Sequence, residues 1–136
     1  MVTLDSSYKD IIDTLGKKLT YEELEETLFD IGMEIDSKEG DLLKIDITPD
    51  RPDMVSLHGL VRALKAYLKI KKGLPNYKVE KSNVKIKVEK SVKDTRPYTV
   101  SAVIKNLNFD DEKIKELIWV QEKLHDTFAR GRKKAA

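Results

Sequence analysis

The sequence predicts an α+β fold in two units, and three observations carry that prediction. Short segments with helical apolar spacing are interleaved with extended segments of period-two spacing. Gly, Pro and small polar residues punctuate the boundaries between them. Charge then divides the chain. Residues 1–73 hold 11 basic and 15 acidic side chains, a net of −4, whereas residues 74–136 hold 15 and 9, a net of +6. The overall +2 is a cancellation across the break at Gly73-Leu74-Pro75-Asn76, as expected of two units with different surroundings.

Composition bounds the rest. With 136 residues, 40% hydrophobic and 37% charged, the chain can build a modest core but not a large one. The absence of Cys excludes disulfides, thiolate metal sites and thiol nucleophiles. No apolar run reaches the roughly 18 residues of a membrane span, and MVTLDSSYKD lacks a signal-peptide core. A soluble, cytoplasmic protein with no membrane partner is expected.

The first helix is expected over residues 7–15. Tyr8, Ile11, Ile12 and Leu15 share a face, with Asp5 or Ser6 as N-cap and Gly16 beyond the end. A second helix begins at Thr20, where Thr20 and Glu23 form the S/T-x-x-E capping box. Leu24, Leu28 and Ile31 are its stripe and Gly32 its stop. Two extended runs follow, 33–36 and 42–47, joined by Lys38-Glu39-Gly40-Asp41, and they predict a hairpin. Thr48-Pro49-Asp50-Arg51-Pro52-Asp53 must be a loop, because each Pro removes an amide donor and biases its predecessor away from helix. Leu57, Leu60, Val61, Leu64 and Leu68 predict a third helix, terminated by Gly73 and Pro75. The second unit reads as strands over 84–88 and 98–104, then a long helix capped by Asp110. Ile114, Leu117, Ile118, Gln121, Leu124 and Phe128 form one face of that helix.

Helix, helix, hairpin, helix in residues 1–73 describes a small winged-helix-like domain, an arrangement also found in DNA-binding modules. The first 50 residues, however, carry 5 basic against 14 acidic side chains. That charge opposes contact with phosphates and favours a scaffold or protein-contact role. Residues 74–136, with two strands and one helix, look like a domain that has been cut short.

No group of residues predicts chemistry. His58 and His125 lie 67 positions apart without ligand spacing, and read as partly buried helix residues hydrogen-bonded to neighbours. There is no Gly-rich phosphate loop; Gly59 stands apart from the turn glycines, inside the third helix. Asp50, Arg51 and Asp53 read as a loop-fixing ion pair plus the N-cap of the third helix, in preference to an acid/base or metal cluster. No metal ligand and no catalytic residue is assigned. Arg130, Arg132, Lys133 and Lys134 are either a solvated tail or a helix-end basic patch on a phosphate backbone.

Three blocks occur in order: Ile47-Thr48-Pro49-Asp50-Arg51-Pro52-Asp53-Met54-Val55-Ser56, Arg96-Pro97-Tyr98, and Gln121-Glu122-Lys123-Leu124-His125 leading to Arg130-Gly131-Arg132-Lys133-Lys134. Together they resemble the N-terminal region of the phenylalanyl-tRNA synthetase beta subunit in its archaeal and eukaryotic form. The resemblance implies an α2β2 ligase that charges tRNA with phenylalanine using ATP and magnesium, with the catalytic pocket on the alpha subunit. It implies that the beta subunit supplies assembly surfaces, tRNA contacts and an editing domain. Editing is needed because an apolar pocket discriminates poorly against an analogue that merely adds a hydroxyl. Residues 1–73 then correspond to the small N-terminal structural domain, and residues 74–136 to a linker and the truncated start of an α/β editing-type domain.

No cofactor is expected in this chain itself, and no editing residue transfers to it. The expected partners are the alpha subunit, a second beta subunit and tRNA. Arg130, Arg132, Lys133 and Lys134 are the candidate contacts to RNA or to other parts of the domain, and Asp50, Arg51 and Asp53 are structural. Two alternatives stand beside this reading. One is an independent winged-helix-like nucleic-acid-binding module; the other is an oligomeric interaction protein joined through the uncovered C-terminal helix.

Overall fold

A computed structural model describes residues 2–135. Strand β1 (Val2–Ser7) runs directly into helix α1 (Tyr8–Leu15), followed by α2 (Tyr21–Asp30), β2 (Glu34–Glu39), β3 (Leu42–Ile47), α3 (Leu57–Tyr67) and α4 (Asp111–Asp126). Single 3-10 turns occupy Pro52–Met54 and Lys90–Val92. The strands form one antiparallel sheet in the order β1-β3-β2. Across the first ladder Val2 faces Ile47 and Leu4 faces Ile45; across the second Ile35 faces Ile45, with a bulge between Ile35 and Ser37. The bulge moves one residue of the edge strand out of register.

Alternation in β3 sends Leu43, Ile45 and Ile47 into the core. They meet Leu4 from β1, Ile11 and Leu15 from α1, Leu24 and Leu28 from α2, and Leu60, Val61 and Leu64 from α3. Met33, Met54 and Val55 close the cluster from the connections. The expected stripes therefore face inward, with Leu57, Leu68 and Ile31 packed at its margin.

The Thr20 capping box forms as its spacing predicts. The Thr20 hydroxyl accepts from the Glu23 amide at 3.2 Å, and the Glu23 carboxylate accepts from the Thr20 amide at 2.8 Å. The end of α2 is equally legible. At Gly32 the chain takes φ +81°, so that the Gly32 amide reaches Phe29 O and the Met33 amide reaches Leu28 O, both at 2.9 Å. This is the Schellman arrangement, with buried Met33 at the position that returns to the core.

Three expectations need correction. Asp5 and Ser6, expected as N-cap of the first helix, lie within β1 (Val2–Ser7), which the spacing did not predict, and the N-cap is Ser7, whose hydroxyl accepts from the Asp10 amide. The signal was weak because β1 finds its hydrogen-bond partners in β3, some 40 residues away. Helix α3 stops at Tyr67, well before Gly73: Lys69 adopts φ +60° and closes the turn through its amide to Ala66 O, while the Ile70 amide reaches Lys65 O. Residues 84–88 and 98–104 are not strands. Val84, Ile86, Val88 and Val100 are all more than half exposed. Period-two spacing makes a strand only when a ladder partner and a close-packed apolar surface are both present; among the described residues no ladder joins the two runs, and Val84, Ile86, Val103 and Ile104 only line a common open cavity.

The N-cap expected of α4 does form, the Asp110 carboxylate accepting from the Lys113 amide at 2.9 Å. Its apolar face is largely open to solvent, with Leu117, Ile118 and Phe128 all more than half exposed. Among the described residues no helix is long and apolar enough to cross a membrane.

The core thus lies between Leu4 and Leu64. Ile45→Ala should lower stability by about 2–5 kcal/mol, since a fully buried side chain leaves a cavity. Ile86→Ala should stay within about 0.5 kcal/mol, as for an exposed surface position. Chemical denaturation of the two variants checks the contrast.

Candidate functional site

The connection from β3 to α3 carries the most distinctive motif, and backbone geometry holds it tightly. The Arg51 amide bonds Thr48 O and the Met54 amide bonds Arg51 O, both at 3.0 Å, giving two turns in succession. Met54 and Val55 then plug into the core. Above the turns, Arg51 donates Nε to Asp53 Oδ1 and Nη2 to Asp53 Oδ2, each at 3.0 Å, a bidentate fork. This bond holds the Asp53 carboxyl below the ordinary carboxylate range. Partial desolvation opposes the shift, and Arg62 adds a smaller pull in the same direction. Asp50 lies exposed at the tip and takes no part in the pair.

The N-cap of α3 is Ser56, whose Oγ accepts from the Gly59 amide at 3.1 Å, and not one of the loop aspartates. The reason lies in the backbone: Pro52 opens a 3-10 turn through Met54, which moves the helix start three residues on from Asp53. Gly59 has its own constraint. A Cβ there would sit 2.0 Å from the Asp53 carbonyl oxygen, so the loop backbone lies directly on the first turn of α3.

Helix α4 meets this loop from the other side. Trp119 Nε1 donates to Val55 O at 3.2 Å, and the Glu116 carboxylate stands 3.8 Å from His58 Nε2. The histidines depart from expectation. His58 is largely exposed, and the buried Nδ1 of His125 has no hydrogen-bond partner among the described residues.

The C-terminal basic residues differ in their surroundings. Arg132 folds back and donates Nη2 to both Glu122 carboxylate oxygens at 2.7 and 2.8 Å, while its carbonyl accepts from Arg96 Nη2 at 2.9 Å. Arg130, Gly131 and Arg132 all have φ between +51° and +61°, and the Lys134 amide returns to Ala129 O. Arg130, Lys133 and Lys134 remain exposed. Among the described residues, no ion pair or side-chain hydrogen bond joins this tail to Asp50, Arg51 or Asp53.

Sequence reasoning passed over a third group. Arg62, Lys65, Lys71 and Lys72 line a cavity of about 260 Å3 at the end of α3, together with His58. The local composition did signal it, because residues 51–73 hold six Lys/Arg and only one carboxylate, Asp53.

A three-stranded sheet with α1, α2 and α3 packed on one core, and a loop pinned by backbone turns at its most distinctive motif, defines a small α+β domain. Residues 1–70 match the family described as the Phe-tRNA synthetase beta subunit B1 domain, and the chain belongs to that family. It is 38% identical over 136 residues to a protein of Methanocella arvoryzae named phenylalanine–tRNA ligase beta subunit, covering all of this chain and 25% of that protein. A protein of the same name from Pyrobaculum aerophilum is 40% identical over 136 residues, covering all of this chain and 26% of the other. Among solved structures, an N-terminal fragment of the phenylalanyl-tRNA synthetase beta subunit from Pyrococcus horikoshii matches with a TM-score of 0.82 at 36% identity, over 96% of this chain and 39% of that one. The chain spans about a quarter of the length of these curated relatives.

Two outcomes are expected at the loop. Gly59→Ala should destabilise the fold by about 1–3 kcal/mol or more, because the obstacle is backbone and must move; thermal unfolding reads it directly. The depressed Asp53 carboxyl contributes stability that is present above the ordinary carboxylate value and is lost as pH falls through its lower folded-state value. Asp53→Asn should therefore flatten the acid limb of a stability–pH profile and leave its shape near pH 7–8 unchanged.

Proposed function

We propose that this chain forms the N-terminal part of the beta subunit of a phenylalanine–tRNA ligase. There it serves aminoacyl-tRNA synthesis through assembly and tRNA positioning rather than through chemistry. The observation that carries the proposal is the match of residues 1–70 to the B1 domain, joined to a structural likeness to a beta-subunit N-terminal fragment along almost the whole chain.

Within that reading, residues 1–73 act as the N-terminal structural domain, winged-helix-like in its helices and hairpin. Residues 74–136 act as linker and opening segment of an editing-type α/β domain. The runs 84–88 and 98–104 keep period-two patterning without a ladder partner among the described residues, which suits strands paired within the longer chains of the relatives. The open face of α4 suits the same explanation, as a surface covered by further protein or by a second copy. The partners are the alpha subunit and a second beta subunit, and the place of action is the cytoplasm. Arg130, Arg132, Lys133 and Lys134 are assigned as contacts to RNA or to neighbouring parts of the domain. ATP and magnesium belong to the parent assembly. Among the described residues no group of three or more His, Asp and Glu side chains is arranged to hold an ion, so no residue here is given that task.

Co-expression with an archaeal alpha subunit tests the reading. The chain should be retained on the tagged alpha subunit, alone or grafted in place of the corresponding region of an archaeal beta subunit, and the graft should restore phenylalanylation. Failure of both would overturn the assignment. The isolated chain should release no tyrosine from mischarged tRNA.

A further inference from the structure

The cavity at the end of α3 has a chemistry that none of the assigned roles uses. His58, Arg62 and Lys65 follow one another at i, i+4 and i+7, and so share one face of α3. After α3 the chain turns back through Lys69, and this return brings Lys71 and Lys72 to the same concavity. Its walls include Val61, Ala66, Leu74 and Pro75, and no carboxylate lines it. A second groove, between β1 and α4, is lined by five carboxylates, Asp5, Asp10, Asp110, Glu112 and Glu116, against two lysines, Lys113 and Lys115. A cationic recess and a predominantly acidic groove therefore occur on a domain whose first 50 residues carry a net charge of −9.

The cations remain available to a ligand. Lys65 Nζ donates to the Thr14 carbonyl at 2.7 Å, a neutral partner that positions the ammonium without cancelling its charge. Asp53, the carboxylate nearest Arg62 in sequence, is already gripped by Arg51 in a neutral pair. Glu116 approaches only His58, at 3.8 Å and at the rim. Arg62 and Lys65 stand one turn apart on α3, and the returning Lys71 and Lys72 add two more ammonium groups at the same recess, so several cations face one short stretch of backbone. Cations lining a concave, partly apolar recess also focus their field into it.

The geometry points to this recess as a binding site for the phosphate backbone of RNA, with Arg62, Lys71 and Lys72 as the direct contacts and Lys65 as a fixed charge behind them. The net negative charge of the first 50 residues opposes spread of the strand over the rest of the domain. The choice of RNA rests on the synthetase reading above; the presence of a phosphate site does not. The contacts are to backbone and carry no base specificity.

The whole 136-residue chain is titrated with a fluorescently labelled tRNA transcript at about 50 and 200 mM salt. Arg62→Gln/Lys71→Gln/Lys72→Gln is compared with the charge-matched Lys85→Gln/Lys87→Gln/Lys90→Gln. Lys65 is left intact because it ties α3 to α1. Far-ultraviolet circular dichroism and the emission of Trp119, the single tryptophan, verify that each variant is folded. The recess variant should bind at least roughly tenfold more weakly at the lower salt, and its log-log salt slope should fall by about 3, near one per lost contact. Lys71→Arg/Lys72→Arg should keep the affinity. Equal loss in both triple variants would show a diffuse charge effect and overturn the site, as would no loss in the recess variant. Inorganic phosphate is run as a separate titration; saturable binding of phosphate without binding of tRNA would also overturn the assignment to a polynucleotide. Retention on the alpha subunit with a silent recess variant defeats this proposal alone, whereas RNA binding through the recess without alpha-subunit retention defeats the synthetase reading alone.

Discussion

Strand β3 is hydrogen-bonded along both edges, to β1 on one side and β2 on the other, and its three inward side chains are fully buried. That double pairing is the constraint on which the remaining architecture depends. A strand paired on both sides satisfies its backbone completely, and the alternation of its side chains then decides which face is core. Leu43, Ile45 and Ile47 define that face, and α1, α2 and α3 bury their stripes against it. A one-residue slip would turn all three side chains to solvent, so the register is strongly specified.

The exit from β3 inherits the same constraint. Two prolines within four residues prevent the strand from continuing and keep a helix from starting at once. Consecutive turns bring Met54 and Val55 back into the core, and the Asp53 carbonyl comes to rest where only a glycine at position 59 leaves room. The Arg51–Asp53 fork is half exposed, so its strength is limited by solvent. Backbone fit, more than this ion pair, holds the loop. The same loop receives Trp119 and Glu116 from α4 and so links the N-terminal core to the C-terminal helix.

Legibility along the chain followed the range of the interactions involved. The capping box at Thr20, the stop at Gly32, the hairpin, the three-helix stripe and the cap at Asp110 all depend on residues within a few positions of one another, and the spacing identifies them. Strand β1 was hidden because its partners lie in β3. The runs 84–88 and 98–104 have the right alternation but line an open cavity without pairing, so local pattern overstated them. At the site, the residues of the Arg51–Asp53 fork stood out as a motif, whereas the recess at the end of α3 did not. Its cations are scattered from position 62 to 72, and only the return of the chain through Lys69 brings them together.

The sequence by itself determined the α+β class, the identity and order of the helices, the boundary in charge near Gly73, and the family, because these rest on local spacing and on motifs read in order. Only the tertiary structure decided that β3 is central, that the core ends at Leu64, that Ser56 rather than an aspartate caps α3, that Arg132 turns inward to Glu122, and that a cationic recess exists on an acidic domain. Each of these is a matter of which distant groups meet, and burial and hydrogen-bond satisfaction settle such meetings only when the whole chain is folded.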